Sequence, residues 1–131
     1  MIKYARGTVW WAKLEEVEES KETGVVLKNR PVLVMSNNEY NATHATLTVI
    51  PITHQHFTDN NAEEFRVPID TSSPGNKDTS YAMCDQIRLI DKKNLDNFYG
   101  LVSSWEMVNV QLAMTNFLRL NESAEETDET L

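Results

Sequence analysis

Thr46-Leu47-Thr48-Val49-Ile50-Pro51-Ile52 is β-branched at almost every position. Side chains branched at Cβ lose rotamer freedom in a helix and pack well on a pleated surface, so this run predicts a strand. Four more segments read the same way. Residues 31–36 form a continuous apolar run opened by Pro31, and proline is tolerated at the first position of a strand. Thr8–Leu14 is aromatic and β-branched. Phe65–Ile69 alternates and contains Pro68, which predicts a short edge strand. Tyr81–Ile90 is expected to be the fifth strand.

The connections are less regular. Residues 15–29 and 71–79 predict loops, Asn37–Asn41 a turn or a single helical turn, and Lys92–Phe98 a short helix. Ser103, with Glu106 three residues on, has the pattern of a capping box. Met107, Val110, Met114, Phe117 and Leu118 then recur at helical spacing, and Trp105, Val108 and Leu112 are expected to widen that apolar face against the sheet. About five main strands and a terminal helix predict a mainly β, α+β fold: a small, strongly twisted antiparallel barrel. Residues 1–120 form the expected domain. Residues 121–131 are acidic and nearly devoid of apolar side chains, which predicts a disordered tail.

The net charge of −8 argues at first against a nucleic-acid partner. Its distribution weakens that argument. Glu15, Glu16, Glu18, Glu19 and Glu22 cluster in one segment, and Glu122, Glu125, Glu126, Asp128 and Glu129 in the last ten residues. The remainder carries eleven Lys and Arg against ten Asp and Glu, because ten of the twenty acids and one of the twelve cations lie in those two segments. A near-neutral body can hold a local cationic groove. No apolar run approaches the ~18 residues of a membrane span, and the N-terminus lacks a signal-like segment. The single cysteine, Cys84, excludes an intrachain disulfide. The expected location is the cytoplasm, with no membrane partner.

Several residues at strand ends can carry chemistry. Arg30 precedes the apolar run at 31–36, and its guanidinium can grip a phosphate with two hydrogen bonds while staying charged. Thr53 ends the third strand, where a hydroxyl can orient a phosphate or ribose oxygen. His54 and His56 flank Gln55, but a His-x-His pair needs further ligands to hold zinc, and no such cluster is evident, so neither metal nor cofactor is expected. Asp85 lies among apolar strand residues and needs a partner or a function; Arg88 is close in sequence, and Arg30 is the more attractive cation. Cys84, amid Tyr81, Ala82, Met83 and Ile87, reads as a buried, inert thiol.

Four blocks together, Arg6-Gly7-Thr8-Val9-Trp10-Trp11-Ala12, Arg30-Pro31-Val32-Leu33-Val34, Ile50-Pro51-Ile52-Thr53 and Cys84-Asp85-Gln86-Ile87-Arg88-Leu89-Ile90-Asp91, resemble the MazF/PemK family of toxin endoribonucleases. The resemblance spans residues 6 to about 120. It implies an SH3-like barrel, a homodimer, a cognate antitoxin and metal-independent cleavage of single-stranded RNA at short sequences. It also implies catalytic roles for Arg30 and Thr53 and a third for Asp85; His54, Gln55, His56, Gln86 and Arg88 are the candidates expected to contact RNA. The implied chemistry is attack of a ribose 2′-hydroxyl on the adjacent phosphate. Two departures stand out: the loop after the first strand is longer and strongly acidic, and Met83 stands two before Asp85, where PemK-like members can carry a functional arginine. Two other readings stay open on the same barrel. One is a non-enzymatic or degenerate member that still binds an antitoxin or nucleic acid. The other is a CcdB-like gyrase inhibitor.

Overall fold

The computed structural model describes residues 2–14, 29–54, 63–70 and 79–122. All but the last residue of each predicted loop, 15–29 and 71–79, and the tail beyond Glu122 lie outside the described residues. The chain runs β1 (Thr8–Ala12), β2 (Arg30–Val34), α1 (Asn38–Thr43), β3 (Thr46–Thr53), β4 (Arg66–Ile69), β5 (Ser80–Met83), β6 (Arg88–Asp91), β7 (Leu95–Leu101) and α2 (Ser104–Leu118). Single 3-10 turns at Glu63–Phe65, Cys84–Gln86 and Lys92–Asn94 punctuate it. The seven strands form one antiparallel sheet in the order β4-β5-β3-β2-β1-β7, with β6 also on β3. The mainly β, barrel-like architecture with a C-terminal helix is as expected, although the sheet is not closed: β4 and β7 are its ends.

The expected fifth strand over Tyr81–Ile90 is in fact two. Ile52 faces Ala82, and Val49 faces Arg88. Three steps along β3 thus correspond to six along its partner, and the surplus is the Cys84–Gln86 turn. Asp85 therefore escapes the strand's alternation. The same switch explains how a central strand tolerates a proline: Ile50 and Pro51 fall between the β6-paired and β5-paired parts of β3, where no ladder bond is lost on that side. The helix expected over Lys92–Phe98 is only the turn Lys92–Asn94. From Leu95 the chain pairs with β1 as β7, and tertiary pairing overrides the Asp and Asn content of that segment.

The sheet buries side chains on both faces. Val9, Leu33, Ile50, Ile52, Val67 and Ile69 pack beneath α2, together with Met107, Val110, Ala113 and Met114. Trp10, Val32, Val34, Leu47, Val49 and Ile90 make a second cluster on the opposite face. The capping box at Ser103 and Glu106 forms as predicted, and Asn37 caps α1 by accepting from the Tyr40 amide at 2.8 Å. Trp105, Val108 and Leu112, however, do not pack on the sheet; they are 67%, 51% and 58% exposed. At about 100° per residue they fall on the side of α2 opposite Met107, Val110 and Met114.

Candidate active site

Strand pairing assembles the site. In the β2–β3 ladder Val32 faces Pro51 and Val34 faces Val49. Continued by two residues, this register sets Arg30 opposite Thr53, on the face of the sheet away from α2. Directly opposed residues on one face bring their Cβ atoms to about 5 Å. Thr53 in turn faces Tyr81 on β5. Arg30, Thr53 and Tyr81 thus form one row across three strands, made of a guanidinium, an aliphatic hydroxyl and a phenol. All three can donate hydrogen bonds, which suits an anion. Arg30 is half-buried and Thr53 is only 5% exposed, so the row lies in a shielded setting where electrostatic contacts are stronger than in water.

Asp85 sits one turn away. Its partner is Arg66 of β4, not Arg30 or Arg88: the Arg66 guanidinium donates to the Asp85 carboxylate and forms an ion pair with it. The reason is the 3-10 turn, which lifts Asp85 out of β5 toward the edge strand. Arg88 faces Val49 on the same sheet face as Thr53, and its guanidinium donates to the Gln86 carbonyl at 3.3 Å and to Gln86 Oε1 at 3.1 Å. Burial holds Arg88 below its ordinary value, while Gln86 fixes its direction. Arg30, Arg66 and Arg88 thus bring three guanidiniums to this face beside the Asp85 carboxylate, in a chain of net charge −8.

The remaining candidates divide. His54 lies on the other side of β3 from Thr53, with Nδ1 3.2 Å from the Ser80 hydroxyl, so it does not join the row. Gln55 and His56 lie outside the described residues. Cys84 is fully buried; burial, and then the adjacent Asp85 carboxylate, push its thiol up to about 12 against the opposing effect of Arg66. It is a thiol rather than a nucleophile at neutral pH. Among the described residues, no three His, Cys, Asp or Glu side chains stand close enough to hold a metal ion. Likewise, no described helix is long and apolar enough to cross a membrane.

Two site residues were not found by sequence reasoning. Arg66 stands on the polar phase of the alternating Phe65–Ile69 segment, which was a usable signal. Tyr81 gives no signal of its own, since only the register shows it facing Thr53.

Residues 5–118 match the sequence model of the PemK-like, MazF-like toxins of type II toxin–antitoxin systems. The chain belongs to this family. Comparison with curated proteins found no match by sequence. Solved structures share the fold. An endoribonuclease from a mycobacterial species, in complex with its cognate antitoxin, superposes with a TM-score of 0.68 at 24% identity, covering 88% of this chain and 95% of the other. A mycobacterial endoribonuclease gives 0.65 at 24% identity, covering 87% and 89%. MazF from Deinococcus radiodurans gives 0.65 at 16% identity, covering 87% and 94%. In this PemK/MazF member the matched region holds both strands of the Arg30–Thr53 pair and the Arg66–Asp85 ion pair.

Proposed function

We propose that this PemK/MazF-family toxin is a sequence-specific, metal-independent endoribonuclease acting on single-stranded RNA. The observation that carries the reading is the β2–β3 register, Val32 facing Pro51 and Val34 facing Val49, which continued by two residues brings Arg30 opposite Thr53. The 2′-oxygen attacks the adjacent phosphorus and the bond to the 5′-oxygen breaks, leaving a 2′,3′-cyclic phosphate and a 5′-hydroxyl. DNA lacks the attacking group. Arg30 stabilises the charge that grows on the non-bridging oxygens of the pentacoordinate phosphorus, and Thr53 orients one of them. Asp85 accepts the 2′-hydroxyl proton, and the departing 5′-oxygen takes up a proton from solvent water. The pairing of Asp85 with Arg66 leaves it separate from Arg30, so holding Arg30 is not its role. Arg88 and Gln86 contact the flanking RNA, and His54 follows Thr53 at the end of β3.

A cognate antitoxin and a second copy of the chain complete the reading. The exposed Trp105, Val108 and Leu112 stripe of α2 offers an apolar surface to the second copy. The test is incubation with a long mixed-sequence RNA in EDTA, followed by mapping of both ends of each product. Wild type should cut at a short recurring sequence and leave cyclic phosphates, with Arg30→Ala slower by about 100-fold. Intact RNA, or equal cutting by Arg30→Ala, overturns the proposal.

A further inference from the structure

Arg66 has no part in the chemistry above, yet its position is unusual. Its side chain is only 7% exposed, against 20% for Asp85, so the carboxylate is the outward member of the pair and the guanidinium lies behind it. A buried guanidinium cannot discharge itself by losing a proton and needs its partner. The turn that carries Asp85 begins at Cys84, buried in the core beneath α2, and ends at Gln86, which accepts from Arg88; the Asp85 carboxylate itself takes the Arg66 guanidinium. Arg66 stands directly across the β4–β5 ladder from Met83, and Tyr81, two residues earlier on β5, faces Thr53. The cation therefore comes from the neighbouring strand, opposite the position that leads into the Asp85 turn.

We propose that Arg66 is a positioning residue of the ribonuclease site, fixing the Asp85 carboxylate toward the Arg30–Thr53 row from across the β4–β5 ladder. This rests on the ribonuclease reading. Because Arg66 is sealed behind Asp85, it governs the orientation of the proton acceptor and not RNA affinity. Its loss therefore lowers kcat and spares KM. Arginine and methionine have similar reach, and they oppose one another here, so exchanging them across the ladder should return a guanidinium to the same place.

The experiment compares wild type, Arg66→Met, Asp85→Asn, the double variant of these two, and the exchange Arg66→Met with Met83→Arg. Each is melted to establish folding and then assayed on an oligonucleotide containing the cleaved sequence. Arg66→Met is expected to lower kcat about 10-fold or more with KM within about 2-fold of wild type. The double variant should be no slower than Asp85→Asn alone, and the exchange should recover kcat over Arg66→Met. If Arg66→Met does not fold, Arg66→Lys takes its place with the same readings. A folded variant with wild-type kcat, losses that multiply with Asp85→Asn, or a folded exchange no faster than Arg66→Met overturns the role. Failure of wild type to cut RNA instead counts against the ribonuclease reading. Cutting that needs Arg30 but ignores Arg66 counts against this inference alone.

Discussion

Glu106 on α2 accepts the backbone N–H of Asp70, just past the end of β4, at 2.7 Å, while its other carboxylate oxygen accepts from the Ser103 hydroxyl at 2.7 Å. One buried carboxylate thus caps the helix and ties the edge strand to it. That strand carries Arg66, so the tie also supports the Asp85 turn. Glu106→Ala removes a cap and leaves a part-buried amide without its acceptor. It should cost about 2 kcal/mol, read as a lower urea midpoint with an unchanged slope. Glu106→Gln keeps an acceptor oxygen and should lose less. A loss below about 0.5 kcal/mol for the alanine variant would mean that water replaces the carboxylate.

Gly7 should resist replacement for conformational reasons alone. Its φ is 91°, its N–H donates to the Val34 carbonyl at 2.9 Å, and its carbonyl accepts from Val102 at 3.0 Å. An added Cβ would meet nothing closer than Met107 Cγ at 3.9 Å. Gly7→Ala should therefore cost about 1–2 kcal/mol through the positive φ and not through a clash. Equal stability by chemical denaturation would refute this.

Cys84 makes a pH prediction. Its thiol rises from an ordinary 9.0 to about 12 in the folded chain. Between those values the unfolded chain has lost the proton that the folded chain keeps, so stability falls as pH rises. The full contribution is present below pH 9 and is lost by about pH 12, with a slope approaching 1.4 kcal/mol per unit (about the free energy of one pKa unit). Cys84→Ala should show a shallower decline across this window. Native protein should also leave a thiol reagent unreacted at pH 8 until denaturant is added.

Thr53 separates chemistry from folding. Thr53→Val keeps the β-branched shape in β3 and removes only the hydroxyl, so RNA cleavage should fall about 10- to 100-fold while the fold is retained. Thr53→Ser should keep most of the activity. Valine and wild type cutting equally would remove Thr53 from the site.

The homodimer reading is checked at the outward stripe of α2. Wild type should sediment as a dimer, and Leu112→Asp or Val108→Asp as a folded monomer, because these side chains are already exposed in the single chain. A dimer that persists in both variants would place the interface elsewhere.

Much of this was legible in the sequence where one physical cue sufficed. The β-branched run of β3, the proline-led β2 and the Ser103–Glu106 cap each depend on neighbouring residues alone. The break between β5 and β6 was not legible, because Tyr81–Ile90 contains neither glycine nor proline and the turn arises from β3 changing partners. The Arg66–Asp85 pair joins residues nineteen apart and follows only from that break. The stripe of α2 was misread because apolar residues on two opposite sides of the helix were pooled as one face.

Val9 faces Leu33 on one side and Gly100 on the other. During synthesis β2 follows β1 directly in the strand order, but β7 emerges only after β2 to β6 have all been made. Until then the outer backbone of β1 is an unpaired edge open to other chains. A nascent chain ending before β7 would contain Arg30, Thr53 and Tyr81 in full. What the late strand supplies is cover for the β1 edge, so translation reaches Arg30, Thr53 and Tyr81 before it reaches the strand that shields β1.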